Sequence, residues 1–504
     1  MKRLPARGLL IFVALVLGLL AAAGGLLSLP WVKPQPDAPP HVEAIVRGDG
    51  PFAAGVGVAP IDLPAGTPIG GFPHLSYRSE GIPGPVTARA LVVSSGDVKL
   101  ALVSAEILLV PDALRAAVIA RLRGLALSGV VLTATHTHAG PGGYYENEAY
   151  ERIALGPYDP AVRDRVANAM ADAVRRALET MGPARLSVAR GRAPGLVKGR
   201  DGAAPEDRLT VLRVERPGGE PVAELTIFAA HATTLGGGNR RISGDWPGAF
   251  LAHAGHGTRL LLQGALGDQT YTLPAGAIAP DSKPEAYAAG VERAVDALAF
   301  EPPETTPALA FACADVPLPT PRPGAVPALL QPAATNLASI LLPERAKVSA
   351  LRLGPVLLVA IPGEPVAALG TRWRELAGPD AEVLSLADGY AGYVETAAHV
   401  TNSEGAHALT YYGPGLAEVL ERAVKLVTGA VHQAQLPRAT GAATEERHPV
   451  VPASAQEPPA RGAERAGTAP RPARTKPPAP ALKAKAGEGA RPRPPAGGAG
   501  KARR

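Results

Sequence analysis

Cysteine is almost absent: Cys313 stands alone among 504 residues. No intrachain disulfide can form, so the fold must be held by packing and hydrogen bonding. Cys313 lies in the run Leu309-Ala-Phe-Ala-Cys-Ala, which reads as a buried strand where a thiol packs as a small hydrophobe. Large apolar side chains are nearly missing after about Arg438, where Pro, Ala, Gly and Arg dominate. Such a segment cannot bury enough surface to offset its ordering entropy, so residues 434–504 are expected to be a disordered basic tail. Residues 437–504 carry fourteen Lys/Arg and five Glu, a net +9; the whole chain is +6, which leaves residues 1–436 at about −3. The body therefore lacks the basic excess of a nucleic-acid binder, and no specific nucleic-acid partner is expected. The tail suits a solvated spacer or a contact with anionic polymers. An internal repeat is also absent.

The N-terminus places Lys2, Arg3 and Arg7 before an apolar run from Gly8 to Leu29, more than 20 residues long. That is the layout of an export signal, and the run is long enough to span a bilayer. Ala21-Ala22-Ala23 offers a small-residue cleavage site. Residues 1–33 are thus expected to be a signal peptide or an N-terminal membrane anchor. Either way the positive flank puts the bulk outside the cytoplasm, secreted or anchored. Residues 34–51 form a Pro-rich linker.

The folded body is expected over 52–433 as one large catalytic domain. Strands are expected at Ala88–Ser94, Lys99–Ala105, Val130–Thr135, Leu209–Val214, Glu224–Ala230, Leu260–Leu262, Lys347–Leu353 and Val356–Ile361. Helices are expected at Ala113–Leu125, Pro160–Thr180, Trp246–Ala254, Glu285–Ala299, Glu364–Leu376 and Gly415–Thr428, where apolar residues recur at three and four. Several strands are apolar on both faces, as in sheets covered by helices. The alternation gives an α/β class: layered mixed β-sheets flanked by helices.

Five segments share one grammar, an apolar strand ending in polar residues and glycine, where α/β folds place ligands. The most informative is Val131-Leu-Thr-Ala-Thr-His136-Thr-His138-Ala-Gly-Pro-Gly-Gly-Tyr144. In a strand, residues i and i+2 face the same way, so both imidazoles are expected in one site. They read as two metal ligands, as one ligand with a catalytic helper, or as hydrogen-bonded rings at a polar strand end. The second segment carries His231 and then Ile242-Ser-Gly-Asp245. His231 reads as a ligand or a structural strand end; Asp245 reads as the N-cap of the next helix or a support to the site. The third, Gln263-Gly-Ala-Leu-Gly-Asp268-Gln-Thr270, is an ordinary turn or presents Asp268 or Thr270 to the site. In the fourth, Pro362-Gly-Glu364 opens a helix, where a carboxylate suits the dipole or completes a two-His, one-carboxylate zinc set. The fifth, Asp388-Gly-Tyr390-Ala-Gly-Tyr393-Val-Glu395, reads by default as a packed turn.

In order, these segments resemble the catalytic domain of the neutral/alkaline non-lysosomal ceramidases. The family pattern is Thr-His-Thr-His-Ser/Ala-Gly-Pro-Gly-Gly-Tyr, a His before Ser-Gly-Asp, a Gly-Asp-x-Ser turn, Pro-Gly-Glu and Gly-Tyr-x-x-Gly-Tyr. The similarity covers roughly residues 53 to 430. It implies that His136, His231, Glu364 and Tyr393 are zinc ligands and that His138 lies beside the metal. It also implies that Thr270 stands where the family has its catalytic serine and that Arg200 is a substrate-side arginine. Three departures follow. Thr270 keeps the hydroxyl but restricts χ1. The family's Tyr-Glu-Gly-Ala-Ser reads Ser403-Glu-Gly-Ala-His407 here, with Tyr411 or Tyr412 as substitutes for the tyrosine. The family's C-terminal immunoglobulin-like domain has no counterpart where the basic tail begins.

The expected function is zinc-dependent hydrolysis of the N-acyl bond of ceramide or a related N-acyl lipid, at a membrane surface. Two rivals are a zinc hydrolase for another envelope amide or ester, and an inactive envelope-tethered binding protein.

Overall fold

Strand pairing in the computed structural model builds three main sheets. Residues 38–435 are described, except 73–77, 82–85, 148–153, 254 and 274–278. The expected signal or anchor at 1–33, and the tail beyond 435, lie outside the described residues. Among the described residues no helix is long and apolar enough to cross a membrane.

The first sheet has the order Gly129–Ala134, Val98–Ala105, Thr87–Ser95, Phe52–Pro60 and Gly182–Pro183. The second runs Thr258–Gln263, Pro221–Phe228, Arg208–Glu215 and Arg185–Arg192. The third runs His41–Gly48, Leu309–Pro317, Arg345–Leu353, Val356–Ala360 and Ala381–Leu384. Most pairs are antiparallel, but each sheet ends in one parallel edge strand: Gly129–Ala134, Thr258–Gln263 and Ala381–Leu384.

Why the strands are apolar on both faces is now clear. One face of each sheet turns toward a core shared by all three, where Phe52, Leu91 and Leu100 meet Leu212, Leu225 and Leu260, and Phe311, Leu351 and Leu358. Cys313 sits in this core, as its run suggested. The other face of each sheet carries helices. Asp112–Leu122 and Pro160–Glu179 cover the first sheet, Asp245–Ala252 and Lys283–Asp296 the second, Ala367–Ala377 and Gly415–Gln435 the third. Each fully buried Leu or Phe contributes about 1.5–3 kcal/mol. One contact of this kind runs along Pro160–Glu179, which buries Val162, Val166, Met170, Val174 and Ala177. Pro160 sits in its first turn and Asp159 accepts from Ala161 N at 2.8 Å, a standard start. Gly55 and Gly57 let it lie on the strand Phe52–Pro60, because a Cβ at either would strike the backbone carbonyls of Ala177 or Ala173.

Five expectations need correction. Residues 41–48, assigned to the linker, form an edge strand of the third sheet paired with Leu309–Pro317, and the last helix runs on to Gln435. The strands Phe52–Pro60 and Arg185–Arg192 were not expected, since one is Gly/Ala-rich and the other charged; pairing in the sheets overrides weak propensity. The helix Gln331–Leu341 was missed because its apolar side chains do not follow burial. The helix expected from Glu364 begins at Ala367. Glu364 and Pro365 instead pair in parallel with Tyr393 and Val394, so the helix dipole is not what holds the carboxylate.

Candidate metal centre and active site

The parallel edge strands and their neighbours deliver the site residues, but not by strand alternation. Gly129–Ala134 ends two residues before His136, and His136 has φ +64°. This left-handed step, uncommon outside glycine, turns the chain out of the sheet. The rings of His136 and His138 still converge, with their Nε2 atoms 3.2 Å apart, because the turn and not the pleat aims them. The backbone of His138 is held by its N–H donating to Ala232 O at 3.0 Å. Gly71, at φ +123°, leaves no Cβ to strike His138, so Phe72 packs edge-on against that ring at 5.2 Å.

His231 lies three residues beyond the strand Pro221–Phe228. Its backbone runs beside Thr270 in a parallel bridge, which brings the third segment into the site. Thr270 is half-buried in the short strand Gln269–Tyr271, opposite Lys198. Asp245, expected as a helix N-cap, is instead the first residue of its helix, with Gly244 at the cap. Its carboxylate accepts from Trp246 N at 2.7 Å, from Thr234 N at 3.1 Å and Oγ1 at 2.5 Å, and from Leu235 N at 3.1 Å, which clamps the loop that follows His231. Asp268 likewise accepts from Ala367 N at 2.9 Å, capping from outside the helix that follows Glu364.

The donor atoms converge. Nδ1 of His136 lies 2.8 Å from Leu108 O, and Nδ1 of His231 lies 2.8 Å from Gln269 O. A carbonyl can only accept, so both Nδ1 atoms carry the proton and both Nε2 atoms present lone pairs. Each Nε2 is 3.3 Å from Glu364 Oε2, and the Tyr393 hydroxyl is 3.0 Å from His231 Nε2. Oε2 of Glu364 is buried with no hydrogen-bond partner, while its Oε1 accepts from the Tyr390 hydroxyl at 2.6 Å. Two imidazole nitrogens and a carboxylate oxygen thus face one point, with the Tyr393 hydroxyl and the His138 ring as neighbouring proton donors. In a tetrahedral zinc site with bonds of about 2.0–2.1 Å, donor atoms stand about 3.3 Å apart. The residues fit such an ion.

Protonation agrees with that fit. Desolvation, with the neighbouring imidazoles, keeps His138 well below the usual histidine range. Desolvation also lowers His231, to about 4. Burial pushes the Glu364 carboxyl up, but the two imidazoles beside it hold it well below the ordinary carboxylate range. A neutral His231 and an ionised Glu364 are states a metal requires. Burial and Glu364 push the Tyr393 phenol well up, opposed by Arg200, which hydrogen-bonds it. Arg200 is placed by its own N–H, which donates to Asp268 O at 2.7 Å. His138 Nδ1 is buried and unpartnered.

All seven residues singled out from the sequence are therefore brought together. The sequence reading missed three supports. Tyr390, expected only to pack, orients Glu364. Gln263, fully buried at the end of Leu260-Leu-Leu, ties together the segments before both histidines; a lone amide closing an apolar run was its signal. Phe72 had none. Of the two candidate tyrosine substitutes, Tyr412 is buried with its hydroxyl donating to Pro343 O at 2.6 Å. Tyr411 packs edge-on to Tyr390, ring centres 6.5 Å apart. A second cluster among the described residues, His41, Glu43 and Asp315, already receives a cation: Lys347 Nζ lies 2.7 Å from Glu43 and 2.9 Å from Asp315.

A family model described as neutral/alkaline non-lysosomal ceramidase, N-terminal, matches residues 52–204. A neutral ceramidase of Mycobacterium tuberculosis is 30% identical over 207 residues, 36% of this chain and 32% of the relative. A neutral ceramidase of Pseudomonas aeruginosa is 28% identical over 236 residues, 41% of this chain and 34% of the relative. The matched stretches thus span about a third of each curated relative's length. The crystal structure of neutral ceramidase from Pseudomonas aeruginosa superposes with a TM-score of 0.64 at 20% identity, covering 79% of this chain and 77% of that one, so the fold is shared. With the family model over the first histidine segment and the shared fold over most of the body, the chain is similar to the neutral/alkaline non-lysosomal ceramidases in sequence over its N-terminal part and in fold over most of its body.

Proposed function

We propose that this protein is a zinc-dependent amidase that hydrolyses the N-acyl bond of ceramide or a related N-acyl lipid, releasing fatty acid and amine. One observation carries the reading: the Nε2 lone pairs of His136 and His231 and the bare Oε2 of Glu364 meet within 3.3 Å. A cation at that point would be held by all three atoms. The names of the similar proteins, neutral ceramidases, support the substrate class.

His136, His231, Glu364 and Tyr393 would hold the ion. When bound, zinc polarises a carbonyl and lowers the pKa of a coordinated water to about 7. The chain's own groups do the rest. His138 is a neutral imidazole whose tautomer no carbonyl fixes, so it can accept a proton and pass it to the leaving amine. Arg200, beside Tyr393, stabilises negative charge developing on the carbonyl oxygen. Thr270, alongside His231, offers its hydroxyl to the substrate headgroup. Export through residues 1–33, as secreted or anchored protein, is part of the same proposal, since it delivers the site to envelope lipids.

The test is zinc content and fluorescent-ceramide hydrolysis by the full chain, with and without chelator. One zinc per chain and chelator-sensitive release of fatty acid are expected. His136→Ala should lose both the metal and turnover, by about 10³-fold or more, equivalent to about 4 kcal/mol. Full activity in that variant, or in chelator, sinks the proposal. Zinc without ceramide turnover moves the substrate to another amide or ester.

A further inference from the structure

The helix Gln331–Leu341 is inside out. It buries Asn336 and Ala338, while Leu337 is 60% and Ile340 76% exposed, and just before it Leu329 is 86% and Leu330 55% exposed. Soluble helices place such residues against the core. Leu330, Leu337 and Ile340 stand seven and three apart, a spacing that aligns them on one side of a helix. Residues 323–343 contain no Asp, Glu, Lys, Arg or His at all, although charged residues make up 19% of the chain.

The segment is also anchored to the site. At its start, Arg322 N and Gly324 N donate to Tyr411 O at 2.7 Å and Thr410 O at 2.9 Å. At its end, Asn147 Nδ2 donates to Leu341 O at 2.5 Å and the Tyr412 hydroxyl to Pro343 O. Thr410 in turn bridges to Gly392, next to Tyr393, and Asn147 lies on the chain that continues from His138. The two loops that build the site therefore also carry this helix.

We propose that the outward face of Gln331–Leu341, with Leu329 and Leu330, is an interfacial surface that docks into the uncharged acyl region of a lipid bilayer beside the site. The proposal rests on the reading of the site as one for an N-acyl lipid. Three features select a bilayer over other partners. The face has no charge to recognise an anionic polymer. It is small: four side chains expose on the order of a few hundred Å², whereas each partner of a stable complex buries roughly 800 Å². And aliphatic side chains protruding from a helix suit insertion at a lipid interface. A long-chain amide stays in its membrane unless the enzyme comes to it, and this face would bring the site there.

The test uses the full chain bearing Leu337→Cys, Ile340→Cys or, as control on the helix Ala367–Ala377, Leu376→Cys. Each is labelled with a polarity-sensitive fluorophore. Cys313 stays unlabelled at pH 7, because burial pushes its thiol up to about 12. With phosphatidylcholine vesicles, positions 337 and 340 should brighten, shift to the blue and be quenched by acyl-chain nitroxide lipids, while 376 stays silent. An equal response at 376 means binding elsewhere, through the N-terminal run for instance, and overturns the proposal. So does silence at all three, or a shift driven by protein concentration without vesicles, which would assign the face to a second copy. In a second arm, Leu329→Ser/Leu337→Ser/Ile340→Ser should lower turnover of vesicle-borne ceramide at least about tenfold and spare a water-soluble short-chain N-acyl amide; equal effects on both overturn the surface role. A wild-type protein inert toward both substrates counts against the hydrolase reading, and the fluorescence then decides the surface alone.

Discussion

The side-chain amide of Gln263 donates to the carbonyl of Thr135 at 2.8 Å. Its oxygen accepts from Ala230 N at 3.2 Å. One fully buried amide thereby joins the residues immediately before His136 and His231, and sets the separation of the two imidazoles from behind.

Replacing it tests that role. Gln263→Met keeps the bulk but leaves a buried carbonyl and a buried N–H unpaired, each costing about 1–3 kcal/mol. Denaturant unfolding should show a loss of about 2–4 kcal/mol, and a competing chelator should strip zinc more readily. Unchanged zinc affinity would show that the histidines are set by other contacts.

Tyr390→Phe removes the hydrogen bond to Glu364 Oε1. Glu364 can then rotate, and loss of a support of this kind costs about 10–100-fold in metal affinity. Competition titration against a zinc dye measures it directly. Wild-type affinity in this variant would return Tyr390 to simple packing.

Thr270 separates hydroxyl from shape. Thr270→Ser keeps the hydroxyl and frees χ1, and should turn over within about tenfold of wild type. Thr270→Val keeps the shape without the hydroxyl and should lose about 10²–10³ in kcat with zinc content unchanged. A fully active valine variant removes Thr270 from the chemistry.

Asp112 should make stability depend on pH. Asp112 is exposed at its tip, but the protein packed around it desolvates the carboxyl and, opposed by Arg115 and Lys347, raises it from 3.8 to about 6. The folded state therefore binds the proton more tightly than the unfolded chain. Its stabilising contribution is complete below pH 3.8 and is lost as pH rises through 6; because the side chain is exposed and screened by solvent, the swing is at most about 1 kcal/mol. Asp112→Asn should be more stable than wild type at pH 8 and no more stable at pH 4, read from thermal melts. Equal stabilisation at both would assign the effect to packing.

Much of the site was legible in the chain, because chemistry-bearing residues had been placed in Gly-rich breaks after apolar runs. Thr-His136-Thr-His138, His231, Pro-Gly-Glu364 and Gly-Tyr393 all stood out, and the resemblance joined them. Their mutual geometry was not legible. His136 leaves the pleat in a left-handed step, and Glu364 sits in a two-residue parallel ladder too short to carry a pattern. The supports were less visible still. Asp268 caps a helix about a hundred positions away, and Gln263 joins the ends of three strands that are far apart in sequence.

The sequence by itself determined the class of fold, the absence of disulfides and the residue types of the centre. These depend on local composition, periodicity and the donors each side chain carries. The tertiary structure alone decided that three sheets share one core, that Oε2 of Glu364 meets two lone pairs, and that Leu337 and Ile340 face outward. Such facts arise from contacts between residues far apart in the chain. A hydrophobic residue reads the same in sequence whichever way its helix is turned; only the packing of its other face shows whether it points to the core or to a partner.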